Sequence, residues 1–200
     1  MRLMIIRHGE SEADLLDVHE GRADFPLTER GHRQAEAMAN HIAENYCVSK
    51  IYSSTLTRAK QTAQHLSDKI DIPIIFDENL MEFNNGLLAG LPRAVVREKY
   101  PDIPNLPIDK AVYGQESQLV FRQRADRVLS KIINETKTDA TVVIVSHGGM
   151  INQLYRSFFN MSVDCNYFFN TADTGIHVWN ITDKERRIIR ANFDEHTNGI

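Results

Sequence analysis

Two histidines stand in matching surroundings and give the clearest signal of chemistry in the sequence. His8 comes one residue after the apolar run 3–6, and His147 comes one residue after the β-branched and apolar run 141–145. Each histidine precedes a glycine, which lets the backbone bend sharply and a ligand come close. Ligands of open parallel sheets bind beyond the carboxyl ends of the strands, so both imidazoles are expected in one crevice.

Two arginines complete the candidate pocket. Arg7 adjoins the first histidine, and Arg58 lies near the start of a predicted helix, a few residues beyond the second predicted strand. A guanidinium fork matches phosphoryl oxygens, and helix N-termini add backbone N–H donors. A neutral imidazole can attack phosphorus, and fixed arginines stabilise charge on the transferring oxygens without a metal. These residue types therefore predict phosphoryl chemistry.

The chain resembles the histidine phosphatase superfamily, branch I, whose members are phosphoglycerate-mutase-like. The matching segments occur in family order from residue 1 to about residue 175, and their combination is far more specific than a lone RHG. They are Arg7-His8-Gly9-Glu10-Ser11, Pro26-Leu27-Thr28-Glu29-Arg30-Gly31 with Gln34-Ala35, Ser53-Ser54-Thr55-Leu56-Thr57-Arg58-Ala59-Lys60-Gln61-Thr62, Glu82 with Gly86 and Gly90, Gly114-Gln115-Glu116-Ser117, and Ser146-His147-Gly148-Gly149.

The resemblance implies a role for each matching site residue. His8 is expected to be the nucleophile that becomes phosphohistidine, and Glu82 the acid that protonates the leaving alcohol and then the base that activates water. Arg7, Arg58 and His147 belong to the same catalytic set. The residues expected to bind the phosphoryl group of the substrate are Arg7, Ser11, Arg58, His147 and Gly148. The implied enzyme is a phosphoric monoester hydrolase of the histidine acid phosphatase type, acting on a small phosphorylated substrate without a cofactor.

The sequence departs from the family pattern at two places. Asp14 stands where an asparagine is usual, so a donor to phosphate becomes a carboxylate. Leu88-Ala89 stands where Trp-Glu is frequent, which leaves the substrate preference of that loop open. Asp77 and Glu78 are acidic neighbours that compete with Glu82 for the acid role.

Three other interpretations compete with a phosphatase. The histidines could be structural residues that close strand ends, although two matching contexts with arginines make that a minority interpretation. A cofactor-dependent phosphoglycerate mutase uses the same histidine, but the resemblance implies a longer chain with extra basic residues, and residues 102–120 offer only Lys110. A non-catalytic phospho-ligand-binding module needs neither His8 nor Glu82.

Composition and charge bear on the partners and the cellular compartment of the protein. The net charge of −4 comes without a basic stripe, which argues against nucleic-acid binding. Cys47 and Cys165 form no CxxC, so no disulfide framework is expected and a reducing cytoplasm fits. No run approaches the length of a membrane span, and no HxxxH, HExxH or acidic cluster supplies the spacing of metal ligands. Oligomeric state cannot be read from the sequence.

Strands that alternate with helices must position these side chains. Apolar runs predict strands at 3–6, 51–52, 73–76 and 141–145, and a closing hairpin at 175–182 and 186–193. Helical periodicity predicts helices over 28–46 with Thr28 as N-cap, over 55–68, around 121–132, and from 148 to about 159.

An irregular segment, residues 80–107, holds a short helix after Pro92, and with residues 108–118 it is expected to cover the pocket. Its candidate lining residues are Phe83, Leu87, Leu88 and Tyr113. The predicted fold is α/β, a three-layer sandwich with a mostly parallel central sheet flanked by helices and phosphoglycerate mutase-like. Residues 1–200 are expected to form a single histidine phosphatase domain.

Overall fold

One six-stranded sheet organises the chain. In the computed structural model, which describes residues 1–200, the strand order is β3-β2-β4-β1-β5-β6. Four neighbouring strands are parallel, and the last two form an antiparallel hairpin at one edge. The sheet is therefore mostly parallel, as predicted. The strands are β1 (Arg2–Arg7), β2 (Lys50–Ser53), β3 (Ile74–Phe76), β4 (Thr141–Ser146), β5 (Ile176–Ile181) and β6 (Arg186–Phe193).

Helices cover both faces of the sheet. On one face lie α2 (Glu29–Asn45) and α3 (Thr57–Ile70), and on the other lie α5 (Gln118–Asn134) and α6 (Gly148–Phe158). Strand β1 contributes side chains to the hydrophobic core on each face of the sheet, because its side chains alternate between the faces. Leu3 and Ile5 pack with α5 and α6, and Met4 and Ile6 pack with α2 and α3. Each fully buried apolar side chain contributes about 1.5–3 kcal/mol. The predicted three-layer sandwich is confirmed.

The predicted helices and the hairpin are present, with shifts of at most three residues at their ends. Thr28 caps α2, since its hydroxyl accepts a hydrogen bond from the Gly31 N–H at 2.9 Å. Helix α3 begins two residues later than the prediction and ends at Ile70. The Thr182 N–H donates to the Glu185 carbonyl at 3.0 Å, which closes the hairpin where the sequence placed it.

Two short helices lie outside the main layers. Helix α1 (Glu12–Leu16) is not predicted from the sequence, because its five residues are too few to show helical periodicity. Helix α4 (Arg93–Lys99) is the short helix expected after Pro92. The segment between β3 and α4 includes single 3-10 turns at Glu78–Leu80 and Gly86–Leu88. No helix combines the length and apolar composition needed to cross a membrane.

A close backbone contact fixes the loop that follows β1. A Cβ on Gly31 would lie 2.0 Å from the carbonyl oxygen of Glu10, so only glycine fits at the start of α2. The Gly9 N–H donates to the Thr62 hydroxyl of α3 at 3.1 Å, and the Glu10 N–H donates to the Gln34 side chain at 2.9 Å. Helices α2 and α3 therefore hold the loop that carries the first histidine.

Candidate active site

Three neighbouring parallel strands end together and bring the candidate side chains to one place. Arg7 pairs with Ser146 in the β1–β4 register, so the next residue of each strand is a histidine. The His8 N–H donates to the Ser146 carbonyl at 3.0 Å, which extends the ladder by one bond. The two imidazole centroids lie 5.1 Å apart, and both side chains are buried. The crevice expected from the sequence is present at this edge.

The hydrogen bonds of His8 show which of its two ring nitrogens carries a lone pair. Its Nδ1 lies 2.7 Å from the Gly9 carbonyl, which can only accept, so Nδ1 carries the proton. Its Nε2 therefore holds a lone pair, and the Nε–H of Arg58 donates toward it at 3.3 Å. Burial, assisted by Arg58 and Arg7, holds the pKa of His8 well below its usual value. A neutral imidazole with a free Nε2 lone pair is the form that can attack phosphorus.

His147 is arranged to bind rather than to attack. Its Nε2 shares a hydrogen bond of 2.8 Å with the hydroxyl of Ser54, which follows β2. Its buried Nδ1 has no partner within the protein and can bond a phosphoryl oxygen. Burial, followed by the charge of Arg58, holds the pKa of His147 well below its usual value.

Arg58 is a fully buried cation whose orientation is set by backbone carbonyls. Its Nη1 donates to the Ala23 carbonyl at 3.0 Å, and its Nη2 donates to the Gly21 carbonyl at 2.8 Å. The Nε faces His8 and also lies 3.1 Å from the Glu20 carboxylate. Burial lowers the pKa of Arg58, and Glu20 is the largest influence that opposes this shift. The guanidinium stays charged, because arginine is not deprotonated in proteins.

Arg7 approaches the pocket from the other side. Its Nη1 donates to the Thr171 carbonyl at 3.2 Å and lies 3.3 Å from the Asp173 carboxylate. Its Nη2 lies 3.7 Å from the carboxylate of Asp14, the residue that replaces the family asparagine. Asp14 therefore faces Arg7, and its other oxygen accepts from the Ser11 N–H at 2.8 Å and lies 3.0 Å from the Ser11 hydroxyl.

Glu82 reaches the same edge of the sheet at the first turn of α6. The Gly149 N–H donates to one carboxylate oxygen at 2.8 Å, and the Phe83 N–H donates to the other at 2.7 Å. A Cβ on Gly149 would lie 2.4 Å from Glu82 Oε1, which explains the second glycine after His147. The carboxylate is thus held at the start of α6, two residues after His147 in the chain.

The two acidic neighbours of Glu82 do not reach the pocket. Asp77 is buried, but its carboxylate accepts from Lys131 at 2.9 Å and caps the 3-10 turn Glu78–Leu80. Glu78 is exposed to solvent. Geometry therefore favours Glu82 over both competitors.

A buried ion pair that the sequence analysis missed holds the loop that carries Glu82. Arg124 of α5 makes a bidentate pair with Glu116, at 3.0 and 2.7 Å, and both side chains are more than nine-tenths buried. The same guanidinium donates to the carbonyls of Asn79, Met81 and Glu82. Glu116 lies in a family-matching segment, but nothing in the sequence pairs it with a residue of the next helix.

The second missed residue is Glu20, whose side chain enters the phosphoryl crevice. Ser11 was expected to bind phosphate, yet its hydroxyl donates to Glu20 at 2.6 Å and lies 3.0 Å from Asp14. The other Glu20 oxygen lies 3.9 Å from His8 Nε2. No motif or periodicity around Glu20 marks it in the sequence.

Gly148, also expected to bind the phosphoryl group, lies at the start of α6, where a Cβ would find its nearest neighbour 3.8 Å away.

Three of the four predicted lining residues border two neighbouring cavities, which contain none of the five candidate catalytic residues. Phe83 and Leu88 line a cavity of about 700 Å³ that also contains Arg93, Arg97 and Tyr100. Leu87 instead points to solvent, being 62% exposed. Tyr113 lines a smaller neighbouring cavity with Leu88 and Tyr100. No group of three or more His, Cys, Asp or Glu side chains is arranged to hold a metal ion.

Comparison with known proteins agrees with the resemblance seen in the sequence. The family model "Histidine phosphatase superfamily (branch 1)" matches residues 3–194. Phosphoserine phosphatase 1 of Hydrogenobacter thermophilus is 24% identical over 98% of this chain and 94% of its own. A 2,3-bisphosphoglycerate-dependent phosphoglycerate mutase of Gloeobacter violaceus is 31% identical, over 80% of this chain and 76% of its own. The solved structure of Bacillus stearothermophilus YhfR superposes with a TM-score of 0.86, at 25% identity and with 98% of both chains covered.

We expect Arg124→Ala to destabilise the protein, because it leaves the buried Glu116 carboxylate without its partner. Breaking a buried ion pair in this way costs about 3–5 kcal/mol, to be measured as the free energy of unfolding in urea. Arg127→Ala, an exposed position on the same helix, is the matched control and should change stability by no more than about 0.5 kcal/mol. Equal losses in both variants would contradict the role assigned to this pair.

Proposed function

The chain belongs to branch 1 of the histidine phosphatase superfamily, and we propose that it is a phosphatase that hydrolyses phosphate monoesters through a phosphohistidine on His8. One observation carries this proposal. The Nδ1 of His8 is committed to the Gly9 carbonyl, which leaves Nε2 with a lone pair beside the buried cation Arg58. The proposed nucleophilic atom, His8 Nε2, therefore lies in contact with Arg58, the cation proposed to bind the phosphoryl group.

In the first step His8 Nε2 attacks phosphorus as the bond from phosphorus to the leaving oxygen breaks. Arg7, Arg58 and the Nδ1 of His147 hold the phosphoryl oxygens and stabilise the charge that develops on them. Glu82, protonated at this stage, transfers its proton to the leaving alkoxide. The products are a neutral alcohol, a phosphohistidine and the Glu82 carboxylate.

In the second step water attacks the phosphohistidine. The Glu82 carboxylate accepts a proton from this water, the bond from phosphorus to Nε2 breaks, and inorganic phosphate is released. His8 returns to its neutral form and Glu82 to its acid form, so the cycle closes. The Gly9 carbonyl keeps the proton on Nδ1 throughout and holds the ring in one orientation.

We assign the enzyme to the histidine acid phosphatase type, because its nucleophile tolerates mild acid. The burial that lowers the pKa of His8 keeps Nε2 unprotonated as the pH falls below the range in which an exposed histidine titrates. The proposed substrate is a small phosphorylated molecule, which is supported by the similarity to a phosphoserine phosphatase. We further propose that residues 1–200 act as one domain in the cytoplasm, without a nucleic-acid or membrane partner; both helical layers pack on a single sheet.

A phosphoglycerate mutase is the second candidate, and its support is the similarity to the Gloeobacter violaceus enzyme. Mutase activity requires the phosphohistidine to return its phosphoryl group to a sugar acid. Between residues 102 and 120 the only base is Lys110, which is exposed to solvent. Hydrolysis therefore remains the favoured outcome. A binding module without catalysis would have no use for the His8 lone pair or for the held carboxylate of Glu82.

We expect His8→Ala to abolish turnover of p-nitrophenyl phosphate, because it removes the atom that bonds phosphorus. In the unchanged protein, brief incubation with a labelled phosphate ester and an alkaline quench should leave acid-labile label on His8. His32→Ala, a histidine of α2 away from the pocket, should keep both label and turnover. Full activity of His8→Ala would rule out the mechanism.

We expect Glu82→Gln to slow alkyl phosphates far more than p-nitrophenyl phosphate. An alkoxide needs a proton in order to leave, and general acid help is worth about 10²–10⁴-fold, whereas p-nitrophenolate leaves without one. The rate to compare is phosphoenzyme formation, since the later attack by water needs Glu82 for both substrates. Equal losses on the two esters would point to a binding role for Glu82.

We expect the enzyme to release phosphate from good esters much faster than it isomerises 3-phosphoglycerate, because residues 102–120, where a mutase is expected to carry extra bases, supply only Lys110. The assay supplies 3-phosphoglycerate with catalytic 2,3-bisphosphoglycerate and measures 2-phosphoglycerate and inorganic phosphate in the same samples. Isomerisation faster than phosphate release would reverse the choice between the two activities.

A further inference from the structure

Glu20 places a carboxylate where the proposed reaction needs a phosphoryl group. It lies in the loop between α1 and α2, and its side chain is 18% exposed. One carboxylate oxygen lies 3.1 Å from Arg58 Nε and 2.6 Å from the Ser11 hydroxyl. The other lies 3.9 Å from the nucleophilic Nε2 of His8. These are three of the groups among which the oxygens of a substrate must fit.

An ionised Glu20 and a phosphoryl dianion cannot share this position without a large electrostatic penalty. Like charges about 4 Å apart repel strongly near a protein surface and more strongly when water is excluded. The ionised carboxylate also pairs with the Nε of Arg58, whose N–H donates to the reacting nitrogen. Protonation of Glu20 removes the repulsion and converts an acceptor into a donor.

The charges around Glu20 come from three elements. Strand β1 contributes Arg7 and the neutral His8, α1 contributes Asp14, and α3 contributes Arg58. Across the crevice, β4 leads to His147, which burial keeps neutral by lowering its pKa. Burial raises the pKa of Glu20, Arg58 opposes this shift most strongly, and Asp14 adds to it. A nearby phosphoryl dianion acts in the same direction as Asp14.

We propose that Glu20 is a carboxyl gate in the phosphoryl pocket, a role that rests on the proposed function. Ionised, it pairs with Arg58 and excludes anions from the nucleophile. Protonated, it releases Arg58 and donates a hydrogen bond to a phosphoryl oxygen. Binding of a phosphoryl dianion is therefore accompanied by uptake of a proton on Glu20.

The sign of the pH dependence follows from this linkage. Because an anion in the pocket raises the pKa of Glu20 further, affinity is greatest at pH values below the pKa of the empty enzyme. It then falls as the pH rises, and it levels off above the pKa of the complex. The empty enzyme begins this fall above the ordinary range of a glutamate, since burial has raised the pKa of Glu20.

Sulfate is the probe that isolates the gate, because it keeps its double negative charge throughout this range. We would measure its affinity by calorimetry from about pH 5 to about pH 8 in buffers of different ionisation enthalpy, which also counts the protons taken up. The unchanged protein should lose roughly tenfold in affinity or more across this range. Glu20→Gln should bind sulfate at least as tightly at the acid end, lose much less affinity on going to the alkaline end, and take up fewer protons.

The matched control is Glu12→Gln, which removes an equal charge from an exposed position of α1. It should follow the unchanged protein in both affinity and proton uptake. Glu20→Gln gains affinity at the alkaline end if the gate operates, and structural damage does not produce such a gain. A pH dependence of Glu20→Gln equal to that of the unchanged protein, or a loss of sulfate binding at every pH, would overturn the proposal.

The gate and the phosphatase proposal fail in distinguishable ways. Turnover of p-nitrophenyl phosphate is measured on the same three proteins over the same pH range. Absence of turnover in the unchanged protein, with the sulfate results as expected, overturns the phosphatase proposal and leaves the gate as a property of an anion site. Turnover with equal pH profiles for the unchanged protein and Glu20→Gln overturns the gate alone.

Discussion

A buried positive charge constrains the whole pocket. Arg58 is inaccessible to solvent, and removing an ion from water costs several kcal/mol unless other groups replace the lost hydration. The replacements are the carbonyls of Gly21 and Ala23, the Glu20 carboxylate and the lone pair of His8. To supply these partners, the loop between α1 and α2 must close over the start of α3, and this closure brings Glu20 into the crevice.

The sheet determines where the two histidines of the pocket lie. Because β1, β4 and β2 are parallel neighbours in one register, the residues that follow them lie side by side. This explains why the sequence could predict His8 and His147 together: buried strands are visible as β-branched runs, and the rule that ligands bind at the carboxyl ends of strands needs no side-chain detail. The large helices were equally visible, since each has an apolar face of several turns.

The sequence could not predict the groups that tune the pocket. Arg124 and Glu116 are joined through the fold of a long loop, and Glu20 is aimed by backbone contacts of its neighbours with Arg58. A polar side chain in a loop has no periodicity that reveals its direction, and an arginine on a helix is usually solvated. Helix α1 was not predicted for a related reason, since five residues do not complete two turns.

The cations that the family resemblance names lie together in the structure, and carboxylates that it does not assign to the pocket lie beside them. Asp14 and Glu20 both face the arginines that should receive a phosphoryl group, and Asp173 adds a third carboxylate beside Arg7. The two arginines face three carboxylates, so the pocket has no surplus of positive charge while those carboxylates are ionised, and a dianion gains less from entering it. Protonation of Glu20 removes one of these negative charges. Burial keeps His8 neutral by lowering its pKa, so the same protons do not block its Nε2 lone pair. The arrangement therefore separates the two effects of acid: it improves binding through Glu20 and leaves the Nε2 lone pair available for attack.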